Sequence, residues 1–540
     1  MSGALIFAAC SSEPDLEEAA STITEESLME HILFLSDDEL QGRAPGTEGE
    51  QMTVDYLIEQ FTEIGLEPGM PDGSFVQMVP VISQQTAPGS VMRIHRNGRT
   101  LHSFDHYTEM MAWPAAGQEE VNIRDAELVY VGYGIIAPEE DWDDYKGMDV
   151  SGKILVFKNS DPYTHPDRFA GDTRLYYGRW SYKYEIAEEL GALGAIIIHT
   201  IPTAGYGWNV VADGWSRERF ALEDEMQAES DTELNAWLTQ WSSNAIFESA
   251  GLDLQEMLDM AESPDFEPVK LEGLRLDIDL EATYDSLELM NVLALLPASS
   301  DEYVVFSAHH DHLGVGNPVE GDSVFNGALD NASGTSAIIE LARSYKSIQS
   351  DLKRNVMFAA VGGEESGLLG SRYLAFNSPV PVGKISANIN IDGFQIFGKT
   401  EDMIIVGKGR TSMDDIMIQE AERVGRTILP DQQPHQGFYY RSDHFSFARV
   451  GIPALYPNAG VTYIDKPDDF YEETVLPHLS RIYHTVHDKV DENWDLVGAV
   501  EDMRLVFNVG YRVINAPEMM TWTPGDEFEA ARLRAIQELE

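Results

Sequence analysis

The stretch YVVFSAHHDHLG, residues 303–314, joins an apolar run to a dense polar cluster. A short run rich in β-branched and aromatic side chains reads as a buried strand. His309 stands where that strand runs out. The same grammar recurs downstream in NVMFAAVGGEES (355–366), ISANINIDG (385–393) and IPALYPNA (452–459), and upstream in NVLALLP (291–297). SGTSAIIELARSYKS, residues 333–347, has helical spacing between two of these runs. Strands alternating with helices predict an α/β fold with a mixed, mostly parallel sheet covered on both faces. Ligand sites in such folds lie outside the carboxyl ends of strands. His309, Glu364, Glu365 and Asp392 all fall at such ends.

Five residues in this half have the chemistry of two-metal ligands: His309, Asp330, Glu365, Asp392 and His484. A bridged pair of divalent metals splits stable bonds with water. His310 and His312 compete with His309 on composition, and Asp311 can hold its second ring nitrogen. Asp330 precedes a helix, so it reads either as a cap or as a carboxylate shared by two metals. Adjacent carboxylates at a strand end are costly without a cation or a raised pKa. Glu365 suits a ligand, and Glu364 suits a general base that must stay free to move a proton. YHTVHD, residues 483–488, offers His484 beside the phenol of Tyr483, with His487 as a rival.

The flanking sequence predicts further units. SLMEHILFLSDDEL (27–40) and GEQMTVDYLIEQFTEIGLEPG (49–69) have helical spacing, with GRAPGT (42–47) as a turn between them. In the second helix Gly65 is placed to stop the chain. From near residue 120 the strands LVYV and ILVFK, the helical YKYEIAEELGALGA and the strand AIIIHT suggest a smaller β-rich domain. GYGWNVVADGWSRERF, residues 205–220, reads as a long surface loop or a wall of the cleft. The expected division is 1–22 signal remnant and polar tether, 23–118 opening part of the main domain, 119–285 inserted domain, 286–508 main part, and 509–540 acidic tail.

The 540 residues include 92 acidic and 36 basic side chains, a formal charge of −56. Such a surface repels nucleic acid and anionic lipid, so no nucleic-acid partner is expected. The one cysteine, Cys10, rules out a disulfide within the chain and a cysteine metal site. It follows small residues in MSGALIFAACSSEPD, which resembles the end of a lipoprotein signal. Cys10 is therefore the expected lipidation site and the only membrane attachment. The expected location is exported, in a Gram-negative periplasm or on its outer membrane.

The motifs together resemble the zinc-dependent M28 peptidase family of co-catalytic aminopeptidases and carboxypeptidases. LSDDELQGRAPGTEGEQ and IGLEPG resemble its opening. AHHDHLG, GALDNASG, GGEESGLLGS, NINIDG, RSDHFSFARVGIPALY and YHTVHD follow in the family's order. GYGIIAPEEDWDDYKGMDVSGKILVF is similar to the signature of a protease-associated (PA) domain, which many members carry. The resemblance implies two zinc ions, one on His309 and Asp392, the other on Glu365 and His484, with Asp330 bridging. It implies Glu364 as base, Asp311 orienting His309, and Tyr483 stabilising the oxyanion. Arg441, Asp443 and His444 fall in the segment the family places near its cleft, as possible substrate contacts. The implied substrate is a peptide, cleaved from its N-terminus, with carboxypeptidase or dipeptidase action and a non-catalytic PA-type receptor as alternatives.

Overall fold

The apolar runs that end on polar clusters form the centre of one sheet. In the computed structural model, which describes residues 14–115, 117–162, 168–215, 218–226 and 230–539, the strands Asn355–Val361, Tyr303–His309, Ile385–Asn390 and Ala454–Asn458 lie side by side and parallel. Residues 292–296 flank them antiparallel on one side, and Asp402–Val406 does so on the other. The sheet is mixed: it is parallel through its centre, as the alternation of strands and helices predicts, and antiparallel at its flanks.

Its core follows the two-residue period of a strand. Val304, Phe306, Ala308, Val356, Phe358 and Ala360 join one apolar cluster, together with residues of the helices Glu48–Ile64, Gly334–Ser347 and Val497–Asn515. Val305, Met357, Ala359 and Val361 join a second cluster on the opposite face with Leu374 and Phe447. Burial on both faces explains why these strands read as continuous apolar runs. Glu48–Ile64 starts where the Thr47 side chain accepts the Glu50 N–H, and ends at Gly65, whose φ of 85° favours glycine.

The chain divides into two compact units. One comprises Met1–Met78, Met290–Asp431 and Asp443–Glu540, the other Val79–Leu289 and Gln432–Ser442. The second unit has a six-stranded sheet in the order Val269–Lys270, Leu128–Tyr130, Ile154–Lys158, Gly194–His199, Leu234–Thr239, Met110–Pro114, parallel through its middle. It also holds the antiparallel strands Val91–Arg96, Arg99–Asp105 and Glu120–Ala126, paired with one another or with residues 275–281.

Four boundaries differ from the sequence expectation. The inserted unit begins at 79 instead of 119, because Val91–Arg96 pairs with residues 275–279 deep inside the insert. Residues 432–442 also belong to it, although they lie beyond the expected end at 285. The polar tether ends sooner than 22: Asp15 caps the short helix Leu16–Ala20, and Ala19 and Ala20 are buried. The acidic tail is no tail. Val497–Asn515 runs straight across 508, and Trp522, Phe528 and Arg532 are buried, with the Trp522 indole donating to the Gly451 carbonyl. Acidic composition hid the few apolar anchors that hold this segment down. Within the presumed loop at 205–220, Trp208–Trp215 is a helix. Cys10, the expected lipidation site, lies outside the described residues. Among the described residues no helix is long and apolar enough to cross a membrane.

Candidate metal centre

The first unit brings five strand-end and loop segments together at one place. His309 ends its strand and is 1 % exposed, with its ring held between two carboxylates. Nε2 lies 3.2 Å from Oδ1 of Asp330 and 3.4 Å from Oδ1 of Asp392. The other oxygen of Asp330, Oδ2, lies 3.3 Å from Nε2 of His484, and that nitrogen lies 2.9 Å from Oε2 of Glu365. One carboxylate thus presents one oxygen to each histidine. His309, Glu364 and Asp392 each offer a ligand atom within 4.8 Å of the others, and so do His312, Asp330 and Glu365.

These spacings can be tested against a metal. Ligands held 2.0–2.1 Å from a tetrahedral zinc stand about 3.3 Å apart. The separations from His309 and from His484 to Asp330 match that edge. The donor set is nitrogen and oxygen only, which suits zinc and related divalent ions. Four carboxylates, from Asp330, Glu364, Glu365 and Asp392, share the place, and such crowding is expensive unless cations enter. The residues present therefore fit two divalent ions.

The electrostatics run the same way. Burial alone would lower both histidines, but the carboxylates outweigh it and hold His309 and His484 well above the ordinary imidazole range. Burial would likewise raise Asp330, yet His309 and His484 hold it well below the usual carboxylate value. Glu365 is brought down to about 2, against its own burial, chiefly by His484. Glu364 goes the other way. Burial pushes it well above the ordinary range, and Glu365, Asp392 and Asp443 push it further, against His309. Two neighbouring carboxylates driven apart in this way have the signature of a ligand beside a proton acceptor.

The supports are backbone contacts. Nδ1 of His309 faces the carbonyl of Asp311 at 3.2 Å, whereas the Asp311 carboxylate is 3.8 Å away. That carboxylate instead accepts the Glu364 N–H at 3.1 Å and the Glu365 N–H at 3.4 Å, fixing the acid pair. Thr335 donates to the His309 carbonyl at 2.7 Å. Asn331, joined to Asp330 by a cis peptide, donates to the Ile391 carbonyl at 3.0 Å and accepts the Gly393 N–H at 3.0 Å. It ties the turn of Asp330 to the strand end of Asp392. Asp488 accepts the N–H of Leu329 at 2.8 Å and of Asp330 at 3.0 Å. His484 itself sits at a φ of 57°, a left-handed conformation uncommon for a side chain of its size.

The rival histidines separate. Nε2 of His310 lies 2.8 Å from the Met290 carbonyl, and burial lowers the ring to about 4, so it serves as a neutral backbone partner. His312 is fully buried with Nδ1 2.7 Å from the second oxygen of Glu365. It backs the acid that faces His484. The Tyr483 ring stacks on His484 at 3.8 Å between centroids and is 46 % exposed. Asp443 and His444 are buried in the first unit, and Asp443 is raised to about 7 by burial. Arg441 belongs to the second unit, its guanidinium 5.4 Å from the Phe438 ring. Sequence reasoning missed the positioning contacts of Asn331 and Asp488. For Asp488 the signal was its place at the end of YHTVHD, four residues after His484.

Residues 291–507 match the family described as Peptidase family M28. A "Probable leucine aminopeptidase" of Arthroderma otae is 30 % identical over 183 residues, 33 % of this chain and 48 % of that protein. A second, from Trichophyton verrucosum, is 26 % identical over 234 residues, 42 % of this chain and 56 % of that one. The chain spans about half the length of the curated relatives it matches. A "Probable zinc metalloprotease" of Pyrenophora teres f. teres is 33 % identical over 116 residues, 21 % of this chain and 24 % of that protein. Among solved structures, the aminopeptidase from Aneurinibacillus sp. strain AM-1 aligns over 95 % of this chain and 98 % of its own, with 20 % identity and a TM-score of 0.52. The chain shares that fold, and the matched segment 291–507 contains every residue of the candidate centre.

Proposed function

We propose that the protein is a two-zinc peptidase that releases residues from the N-termini of peptides. The observation that carries the reading is Asp330, whose two oxygens face His309 and His484 at 3.2 and 3.3 Å. His309 and Asp392 would hold one zinc, Glu365 and His484 the other, with Asp330 shared. Bound there, the metals would polarise the scissile carbonyl and lower the pKa of water. Glu364 takes the proton of the attacking water and passes it to the leaving nitrogen, a role that suits a carboxyl raised by burial and by its neighbours. The Asp311 carboxylate keeps the Glu364 and Glu365 amides in register. Tyr483, which stacks on His484 and is partly open to solvent, would steady the developing oxyanion.

The aminopeptidase direction rests on the names of the relatives and on the acids that surround the centre, which suit a free terminal ammonium. The second unit is proposed to be a PA domain, and Arg441, Asp443 and His444 to be substrate contacts. Export with a lipid on Cys10 belongs to the same proposal and rests on the N-terminal sequence. Matched free, N-acetylated and C-amidated peptides test the direction. N-acetylation should abolish cleavage while C-amidation is tolerated. The reverse pattern makes the enzyme a carboxypeptidase, and no turnover of any peptide by protein carrying two zincs makes it a receptor.

A further inference from the structure

Arg43 is 1 % exposed, yet among the described residues its hydrogen-bond partners are all carbonyls and no carboxylate lies within ion-pair distance of it. Its guanidinium is spent on backbone carbonyls. Nε donates to His310 at 2.8 Å, Nη1 to Asn326 at 2.6 Å and to Leu35, and Nη2 to Gly327 at 3.0 Å. Burying an arginine is costly, and desolvation lowers it to about 10. Such a group persists when its fork satisfies several fixed acceptors at once.

The acceptors are not random. His310 follows His309 directly. Asn326 and Gly327 open the turn that delivers Asp330, the carboxylate facing both histidines. The neighbouring Gly42 is packed so tightly that an added Cβ would stand 2.3 Å from the Phe325 carbonyl oxygen. The Asp38–Arg43 segment therefore meets the turn along backbone as well as side chain. Four negative groups surround the guanidinium at longer range: Asp311, Asp488, Asp330 and Glu365. Arg43 is thus a cation beside the ligand loops that does not compete for their oxygens.

We propose that Arg43 is a positioning residue of the metal centre, fixing the His309 loop against the Asp330 turn through their carbonyls. The proposal rests on the two-metal reading above. Lysine keeps the charge but cannot reproduce the fork, so Arg43→Lys is the informative variant. The control is Arg354→Lys. Arg354 is equally buried, pairs through Nε with Glu302 at 2.7 Å and donates from Nη1 to the carbonyls of Val513, Ile514 and Ala516, none of them a candidate ligand segment.

The test measures zinc affinity by competition with a chromophoric chelator, alongside thermal unfolding and kcat against KM. Wild type must first bind two zinc ions; if it does not, the metal reading fails and this proposal is not what failed. Arg43→Lys should weaken zinc binding by about 10–100-fold, the usual cost of losing a supporting contact. Its kcat should fall more than its KM rises. Arg354→Lys should lose comparable thermal stability while binding zinc as wild type does. Equal zinc affinity in both variants overturns the proposal. If Arg43→Lys does not fold, Arg43→Gln takes its place. Failure of both to fold, while Arg354→Lys folds, makes Arg43 a folding determinant and also overturns it.

Discussion

Both units bury charge, but they neutralise it differently. In the second unit Lys183 is fully buried and donates to the carbonyls of Tyr133 and Tyr177 at 2.7 and 2.8 Å. Around it stand Asp144 and Asp161, and Lys158 pairs with Glu262. Acids and lysines there are matched within the chain. In the first unit Asp311, Asp330, Glu364, Glu365 and Asp392 are gathered with the imidazoles of His309, His312 and His484 and an arginine whose donors are committed to carbonyls. One cluster is complete as folded. The other is a set of donors with the spacing to hold divalent ions.

The sharpest way to break that contrast is to remove the shared acid. Asp330→Ala should eliminate both zinc equivalents and all measurable turnover, by metal analysis and peptide assay. His309→Ala should mainly cost one equivalent. Retention of two tight ions by the Asp330 variant would refute a bridging role. Next in size is Glu364→Gln. It should keep both ions while kcat falls about 10²–10⁴-fold, the range for a positioned proton acceptor. A variant turning over at the wild-type rate leaves Glu364 without its role as base.

The second unit is tested by Lys183→Met. Removing one partner of a buried charge cluster costs about 3–5 kcal/mol, because the acids left behind lose their counter-charge. Denaturant unfolding should register that loss with zinc stoichiometry unchanged. If zinc binding falls in parallel, the two clusters are not independent. The smallest effect concerns Glu50, fully buried in the first unit, which accepts the N–H of Gly46 at 2.7 Å and of Met290 at 3.0 Å. Burial raises it from 4.5 to about 7. The folded state therefore binds this proton more tightly than the unfolded chain does. Its contribution is full below about pH 4.5 and is lost as pH rises through 7. Glu50→Gln should accordingly flatten the decline in thermal midpoint between pH 5 and 8; an unchanged slope would assign that decline to other groups.

Much of the centre was legible because buried strands announce themselves. Asn355–Val361 is wholly buried and apolar after Asn355, so the acid pair beyond it stood out. Ile385–Asn390 is buried too, but its Asn388 and Asn390 both bond to the Ser307 hydroxyl, so Asp392 stood out less. Positioning contacts were harder to see. Arg43 looks like a surface residue in a Gly- and Pro-rich turn, since nothing in sequence tells that its acceptors are distant carbonyls. Asp311 was expected to hold His309 by its side chain, but the carbonyl does so and the carboxylate holds the acid pair. The start of the insert was hidden for another reason. Val76–Thr86 alternates buried and exposed positions, and a two-residue period does not say which sheet a strand joins.

Residues 432–442 lie between a strand and a helix of the first unit yet cluster with the second, where the Pro434 carbonyl accepts the Arg174 N–H at 3.0 Å. An inserted module is commonly imagined as a cassette with two seams. This one has four, at 78/79, 289/290, 431/432 and 442/443. Excising Val79–Leu289 would strand eleven residues on the host, and transplanting it would leave a gap in the graft. Host and insert can therefore be exchanged only as a matched pair of segments, with Val79–Leu289 and Gln432–Ser442 moved together.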